Sequence, residues 1–267
     1  MMGRRSIRTI LGAVALAVLP ASVLAQPAPV PAQPTPVPAQ PAPVPARPAP
    51  VPARPAPVPA PAARTPAWAN DFTSRLEALA VLQTLNADLL SHDSATLTLD
   101  RWCDTHQLAS PAKIVAVRDR ATTKPATAEH RRVLGVSPAE PVGYRRVKLM
   151  CGSHVLSEAD NWYVPSRLTP EMNHQLETTD IAFGRAVQAL HFQRRTLSAE
   201  LLWSPLPGGW DVAPAPLPDA GGKALQVPHE VLRHQAVLVL PDGAAISEVV
   251  ETYTEQVLAF PQPRPAT

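Results

Sequence analysis

The stretch Gln235-Ala236-Val237-Leu238-Val239-Leu240-Pro241-Asp242-Gly243-Ala244-Ala245-Ile246-Ser247-Glu248-Val249-Val250-Glu251-Thr252-Tyr253 decides the fold. Two strand-like runs, 235–240 and 245–253, flank Pro-Asp-Gly, and Asp-Gly between apolar runs is a strong hairpin signal. Side chains alternate along a strand, so Glu248 shares its face with Ile246 and Val250, whereas Glu251 goes with Val249 and Tyr253. A carboxylate among apolar neighbours is costly unless it has a partner. The reading gives Glu248 the partner Arg146, either directly or through a small acidic ligand.

Outward from this hairpin, Lys113 to Arg118 and Tyr144 to Cys151 read as strands. In the second of these, Val147, Leu149 and Cys151 point one way and Arg146, Lys148 and Met150 the other. Asn161 to Arg167 and Phe192 to Trp203 supply further strand candidates. Phe72, Leu76, Leu79, Leu82, Leu85 and Leu89 recur at helical spacing, with Ser74 and Glu77 spaced as a capping box. A second short helix is expected near Leu97 to Gln107, and another behind the start signal Thr169-Pro170-Glu171. Thr179-Asp180 opens a third helical stretch, Ile181 to Leu190. The polar region 121–138 reads as loop, Ser153 to Asp160 as an insert, and Ser204 to Gly222 as a flap or lid long enough to suspect function. Helices first and then strands broken by helical insertions give an α+β fold: a mainly antiparallel sheet with flanking helices and flap loops enclosing a small-ligand pocket.

The N-terminal quarter has a different character. Residues 1–25 resemble a secretory signal, with Arg4, Arg5 and Arg8 before an apolar run and Val23-Leu24-Ala25 as cleavage site. From Gln26 a seven-residue unit, Gln/Arg-Pro-Ala/Thr-Pro-Val-Pro-Ala, repeats five times, and the proline bias continues to Pro66. Alternating proline fixes φ and removes donors, so a disordered, polyproline II spacer of up to roughly 120 Å is expected over 26–66. Residues 67–260 are expected to form one domain, with 261–267 a disordered tail. The formal charge of +2 falls to −4 once the arginines of the signal and the proline segment are set aside. The basic balance belongs to those segments, and no nucleic-acid partner is expected. No stable membrane insertion is expected after signal cleavage, and a monomer is favoured. Cys103 and Cys151 either pair in an oxidising compartment or stay as buried thiols, and the sequence leaves both open.

The common chemistry motifs are missing: no Gly-x-Ser-x-Gly, no phosphate-cradling glycine loop, and no Cys or His pair at metal-ligand spacing. No metal or cofactor is expected, and His229 and His234 read as scattered surface histidines. Arginine and carboxylate chemistry remains. Arg145 and Arg146 open one strand, Arg167 ends another, and Glu248, Glu251 and Glu255 lie on the last.

Three segments in order carry a resemblance. They are Tyr144-Arg145-Arg146-Val147-Lys148-Leu149-Met150-Cys151, then Ala182-Phe183-Gly184-Arg185, then Leu238-Val239-Leu240-Pro241-Asp242-Gly243 running into Ile246-Ser247-Glu248-Val249. Together they resemble the signature regions of chorismate pyruvate-lyases, which are related to UTRA-type ligand-binding domains of transcription regulators. The resemblance implies a cofactor-free lyase that converts chorismate to pyruvate and 4-hydroxybenzoate. By position it implies that Arg146 binds the ligand carboxylate, that Phe183 with Gly184 adds a backbone contact, and that Glu248 meets the ring hydroxyl and carries a proton. Arg146 and Glu248 are thus the expected catalytic residues, and Arg167 is a further candidate for substrate binding. Expected, therefore, is an exported, periplasmic or secreted chorismate lyase-like protein. The alternative on the same fold is a non-catalytic binder of small aromatic or carboxylated ligands. Either way, Arg146 and Glu248 are expected to face each other across a ring-sized cavity.

Overall fold

The computed structural model describes residues 68–218 and 222–263, all within the unit Pro59–Thr267. The expected signal (1–25) and proline segment (26–66) lie outside the described residues, as does the tail beyond residue 263. In chain order the elements are α1 (Phe72–Ser91), α2 (Ala95–Thr105), β1 (Ile114–Asp119), α3 (Ala128–Leu134), β2 (Gly143–Cys151), β3 (His154–Tyr163), α4 (Pro170–Thr178), α5 (Phe183–Ala186), β4 (Gln193–Leu201), β5 (Glu230–Val239) and β6 (Ala245–Thr254). The strands form one antiparallel sheet in the order β1-β2-β3-β6-β5-β4. The fold is α+β, and the hairpin read from Pro241-Asp242-Gly243 joins β5 to β6. Gly243 takes φ 88°, in the left-handed region that such a turn needs.

Local chemistry explains most boundaries and several differences from the sequence reading. Helix α1 starts earlier than the Ser74 capping box: the Asp71 carboxylate accepts the Ser74 amide at 2.8 Å, which satisfies an otherwise orphaned donor. Region 121–138 contains helix α3, stopped by Gly135 at φ 61°. The supposed insert 153–160 is instead the body of β3, a ten-residue strand reached from β2 through Gly152 at φ 57°. The stretch 181–190 is not one helix but the four-residue α5 followed by a 3₁₀ turn. Polar side chains misled the reading here, because cross-strand ion pairs with β2 accommodate the charges of β3.

The inner face of the sheet is covered throughout its centre and the outer face in part, with Val115 and Val117 of β1 exposed there. Across the strands, Arg145, Asn161, Val249 and Ala236 form one row, and Val147, Ala159, Glu251 and His234 the next. This inner face packs with Leu82, Leu85 and Leu89 of α1 and Leu99 and Trp102 of α2 in the main core. The alternate rows, Tyr144, Trp162, Glu248 and Val237, then Arg146, Asp160, Val250 and Gln235, form the outer face. There Leu134 of α3 packs with Trp162 and Val164.

Two long-range ties close the structure. The indole N–H of Trp68 donates to the carbonyls of Leu258 and Phe260, 3.2 Å in each case, and its ring meets Phe260 edge-on. Cys103 of α2 and Cys151 of β2 form a disulfide, with Cα atoms 6.0 Å apart and a sequence separation of 48. A loop of that size is expected to lose about 4 kcal/mol of stability when opened. Urea unfolding of the oxidised protein against the Cys103→Ser, Cys151→Ser double variant measures this directly, and a loss under about 1 kcal/mol would contradict the chain-entropy account.

Candidate functional site

On the inner face the main core is interrupted by a polar pocket of about 40 Å³, a size that suits only a small ligand. Its floor includes Arg145, Asn161, Val249 and Glu251 of the sheet, and its roof is made by Ser94, Ala95 and Thr96 at the start of α2 together with Phe183, Gly184 and Phe192. Gly184 is there for space. A Cβ at this position would stand 3.0 Å from the Ser94 hydroxyl, so α5 can approach the start of α2 this closely only without a side chain.

Arg145 is 1 % exposed. Its Nη2 donates to the Ile181 carbonyl at 2.9 Å, while Nε and Nη1 are buried with no partner. Burial, aided by the charge of Arg118, pushes its pKa down to about 10. A buried guanidinium with unmet donors can receive an anion, because its planar donors match a carboxylate.

At the other side of the pocket, Arg194 Nη2 meets Glu251 Oε2 at 2.5 Å, with the side chains 3 % and 7 % exposed. The Tyr253 hydroxyl donates to the same Oε2 at 3.2 Å. Burial works against the charge on Arg194, but Glu251 outweighs it and the arginine's pKa is raised. Burial, followed by the charge of Glu251, raises the Tyr253 phenol well above its ordinary value. Beside them, His234 is fully buried rather than on the surface as the sequence reading had it, and its Nε2–H donates to Asn86 Oδ1 at 2.8 Å.

The residues singled out from the sequence divide between two places. Phe183 and Gly184 line the pocket. Arg146 and Glu248 do not face each other across a cavity, and this expectation is corrected. Both lie on the outer face, separated by β3. Arg146 pairs with Glu158 at 3.1 Å and Asp160 at 3.2 Å, and Glu248 accepts from Gln235 Nε2 at 2.8 Å. Arg167 donates to the carbonyls of Leu134, Gly135 and Ala245, a backbone clamp away from the pocket. The described part of the loop after Ser204, residues 204–218, does not line the pocket either. Arg75 holds it on α1 through the carbonyls of Pro205 and Pro218. The pocket's own residues, Arg145 and Glu251, sit one and three places from the expected pair. Strand parity contained the signal: Arg145 alternates with Val147 and Leu149, and Glu251 with Val249 and Tyr253. Among the described residues, no group of three or more His, Cys, Asp or Glu could hold a metal ion, and no helix is long and apolar enough to cross a membrane.

No family model matches the chain. The uncharacterized protein y4mC of Sinorhizobium fredii is 58 % identical over 197 residues, covering 73 % of this chain and 83 % of the relative. The chain belongs to the y4mC family. Among solved structures, PhnF from Mycobacterium smegmatis is similar with a TM-score of 0.41 and 14 % identity, covering 67 % of this chain and 71 % of that one. The effector domain of PhnF follows at 0.39 and 14 %, covering 61 % and 89 %. A GntR-family transcriptional regulator from Bacillus cereus gives 0.33 and 12 %, covering 58 % and 99 %. At these values neither a ligand nor an activity is carried over to the y4mC family. None of these three structures is described as a chorismate lyase. The exclusion of nucleic acid among the partners is withdrawn, since a GntR-family transcriptional regulator stands among these similar structures, but at this TM-score the likeness assigns no partner in its place.

The buried His234 gives a pH signature. Burial, together with the charge of Arg194, pushes its pKa from the ordinary 6.5 down to about 4. Below 6.5 the unfolded chain takes up a proton that the folded protein refuses until about 4. Stability therefore falls as pH drops through that window. His234→Gln is expected to flatten the pH dependence of urea midpoints there, and an unchanged slope would contradict the assignment.

Proposed function

We propose that the domain binds a small aromatic carboxylate in the inner-face pocket, with the ligand's carboxylate on Arg145. The carrying observation is the buried guanidinium that keeps two nitrogens without partners inside that pocket. Phe183 and Phe192 give the ring apolar neighbours, and Glu251 offers an acceptor to a group at the ring's far end. Two strand spacings and a two-residue offset separate the backbones of Arg145 and Glu251 by about 12 Å, a span that two inward side chains and one ring can fill. The roles first read onto Arg146 and Glu248 pass in this proposal to Arg145 and Glu251. Phe183 and Gly184 keep theirs. Export to an oxidising compartment belongs to the same proposal and is supported by the disulfide.

A second reading adds catalysis: elimination of pyruvate from chorismate. It rests on the resemblance and on Glu251 standing at the pocket wall. Nothing in that reading needs a cofactor, since aromatisation drives the reaction and the protein orients and shields the substrate.

Calorimetry with 4-hydroxybenzoate tests the binding reading. Arg145→Met is expected to weaken binding by about ten- to a hundredfold, the range for losing charge-assisted hydrogen bonds, whereas Arg146→Met stays within about threefold. Equal losses in the two variants, or no binding at all, would sink the assignment. Incubation with chorismate separates the second reading: pyruvate release that disappears in Arg145→Met supports it, and binding without release leaves the binder.

A further inference from the structure

The charges inside the pocket are not free to be matched in any combination. Four charged side chains line it: Asp93, Arg145, Arg194 and Glu251. Arg194 and Glu251 already neutralise each other at 2.5 Å, both almost wholly buried. Asp93 is exposed at the rim, where its Oδ1 accepts the backbone amide of Arg194 at 2.9 Å. Arg194 keeps a buried nitrogen, Nε, without a partner, but its charge is matched by Glu251. That leaves Arg145 as the pocket's cation without a carboxylate partner among the described residues. Its single bond runs to a neutral carbonyl.

The acceptor at the far wall is equally specific. Both contacts to Glu251, from Arg194 and from Tyr253, fall on Oε2. Among the described residues no hydrogen bond reaches Oε1, so one oxygen of the arginine-paired carboxylate is left over for a donor from the ligand. A second ligand carboxylate placed there would meet a like charge with the only nearby cation already engaged, and such juxtapositions are strongly disfavoured when desolvated.

We infer that the Arg194–Glu251 pair sets the selectivity of the pocket, admitting a monocarboxylate that carries a hydrogen-bond donor at its far end and rejecting a dicarboxylate. This rests on the reading that Arg145 receives the ligand's carboxylate. On this account 4-hydroxybenzoate suits the pocket, and chorismate, with two carboxylates, is the poorer ligand. Specificity of this kind comes from the repulsive element as much as from the attractive one.

Three probes decide it when titrated calorimetrically into the full chain at neutral pH: benzoate, 4-hydroxybenzoate and benzene-1,4-dicarboxylate. The expected order is 4-hydroxybenzoate tightest, benzoate next and the dicarboxylate weakest, with roughly tenfold or more between first and last. Glu251→Gln frees Arg194 and is expected to narrow or invert that gap, while Arg145→Met weakens all three. A dicarboxylate that binds as tightly as 4-hydroxybenzoate, with both still dependent on Arg145, overturns the inference and leaves the binding reading intact. Failure of every probe overturns both. Should Glu251→Gln not fold, as judged by its near-ultraviolet circular dichroism, the probe order in the unaltered chain decides alone.

Discussion

Taking the Arg145 guanidinium out of water is the constraint around which the inner face is arranged. A buried cation is tolerated only with good partners, and the chain supplies one, the Ile181 carbonyl, from the loop between α4 and α5. The same loop region is gripped from β1 and the residue that follows it. Arg118 donates to the carbonyls of Leu176 and Glu177 at the end of α4, and Arg120 reaches Glu177 and Asp180. Three arginines, two on the neighbouring strands β1 and β2 and one just after β1, thus position Phe183 and Gly184 over the sheet. The interaction that orients the pocket's cation also sets the height of its roof.

The disulfide acts on the opposite wall. It joins β2, which carries Arg145, to α2, whose first residues Ala95 and Thr96 border the pocket. Below α2, Asp100 accepts from Arg185 of α5 at 2.7 Å and from the Ile114 amide of β1 at 2.7 Å. Helix, sheet and roof are therefore fastened to one another by a covalent bond, an ion pair and a backbone bond, and the pocket is assembled from rigid elements rather than from long loops.

Much of this was legible in the residues. The Asp-Gly hairpin, the strands β1 and β2 and the start of α4 at Thr169-Pro170 follow from turn chemistry and capping. The place of the site was harder to read, for a physical reason. Both faces of β6 are covered, so Ile246 and Val250 are as apolar as Val249, and hydrophobicity could not say which face bears the pocket. Because the side-chain period is two, choosing the neighbouring residue moves a side chain to the other side of the sheet. The proposed move from Arg146 to Arg145 is a shift of that one residue. Arg194 left no readable trace, since β4 is an edge strand with mostly exposed residues and gives no apolar alternation. Neither was the helix in 128–134 visible among its charges, although Thr127 caps it in sequence and Gly135 stops it.

Trp68, the first described residue, bonds to the carbonyls of Leu258 and Phe260, near the last ones. The chain therefore enters and leaves the folded region at one spot, secured by the Trp68 indole and by Gln262, which meets Ala69, Ser74 and Glu77. Closely spaced ends of this kind allow a domain to be spliced into another protein or joined end to end and reopened elsewhere. Any segment attached before residue 68 and any attached after residue 260 depart from the same patch of surface. A pull applied between them would strain the Trp68 anchor before it reached the sheet.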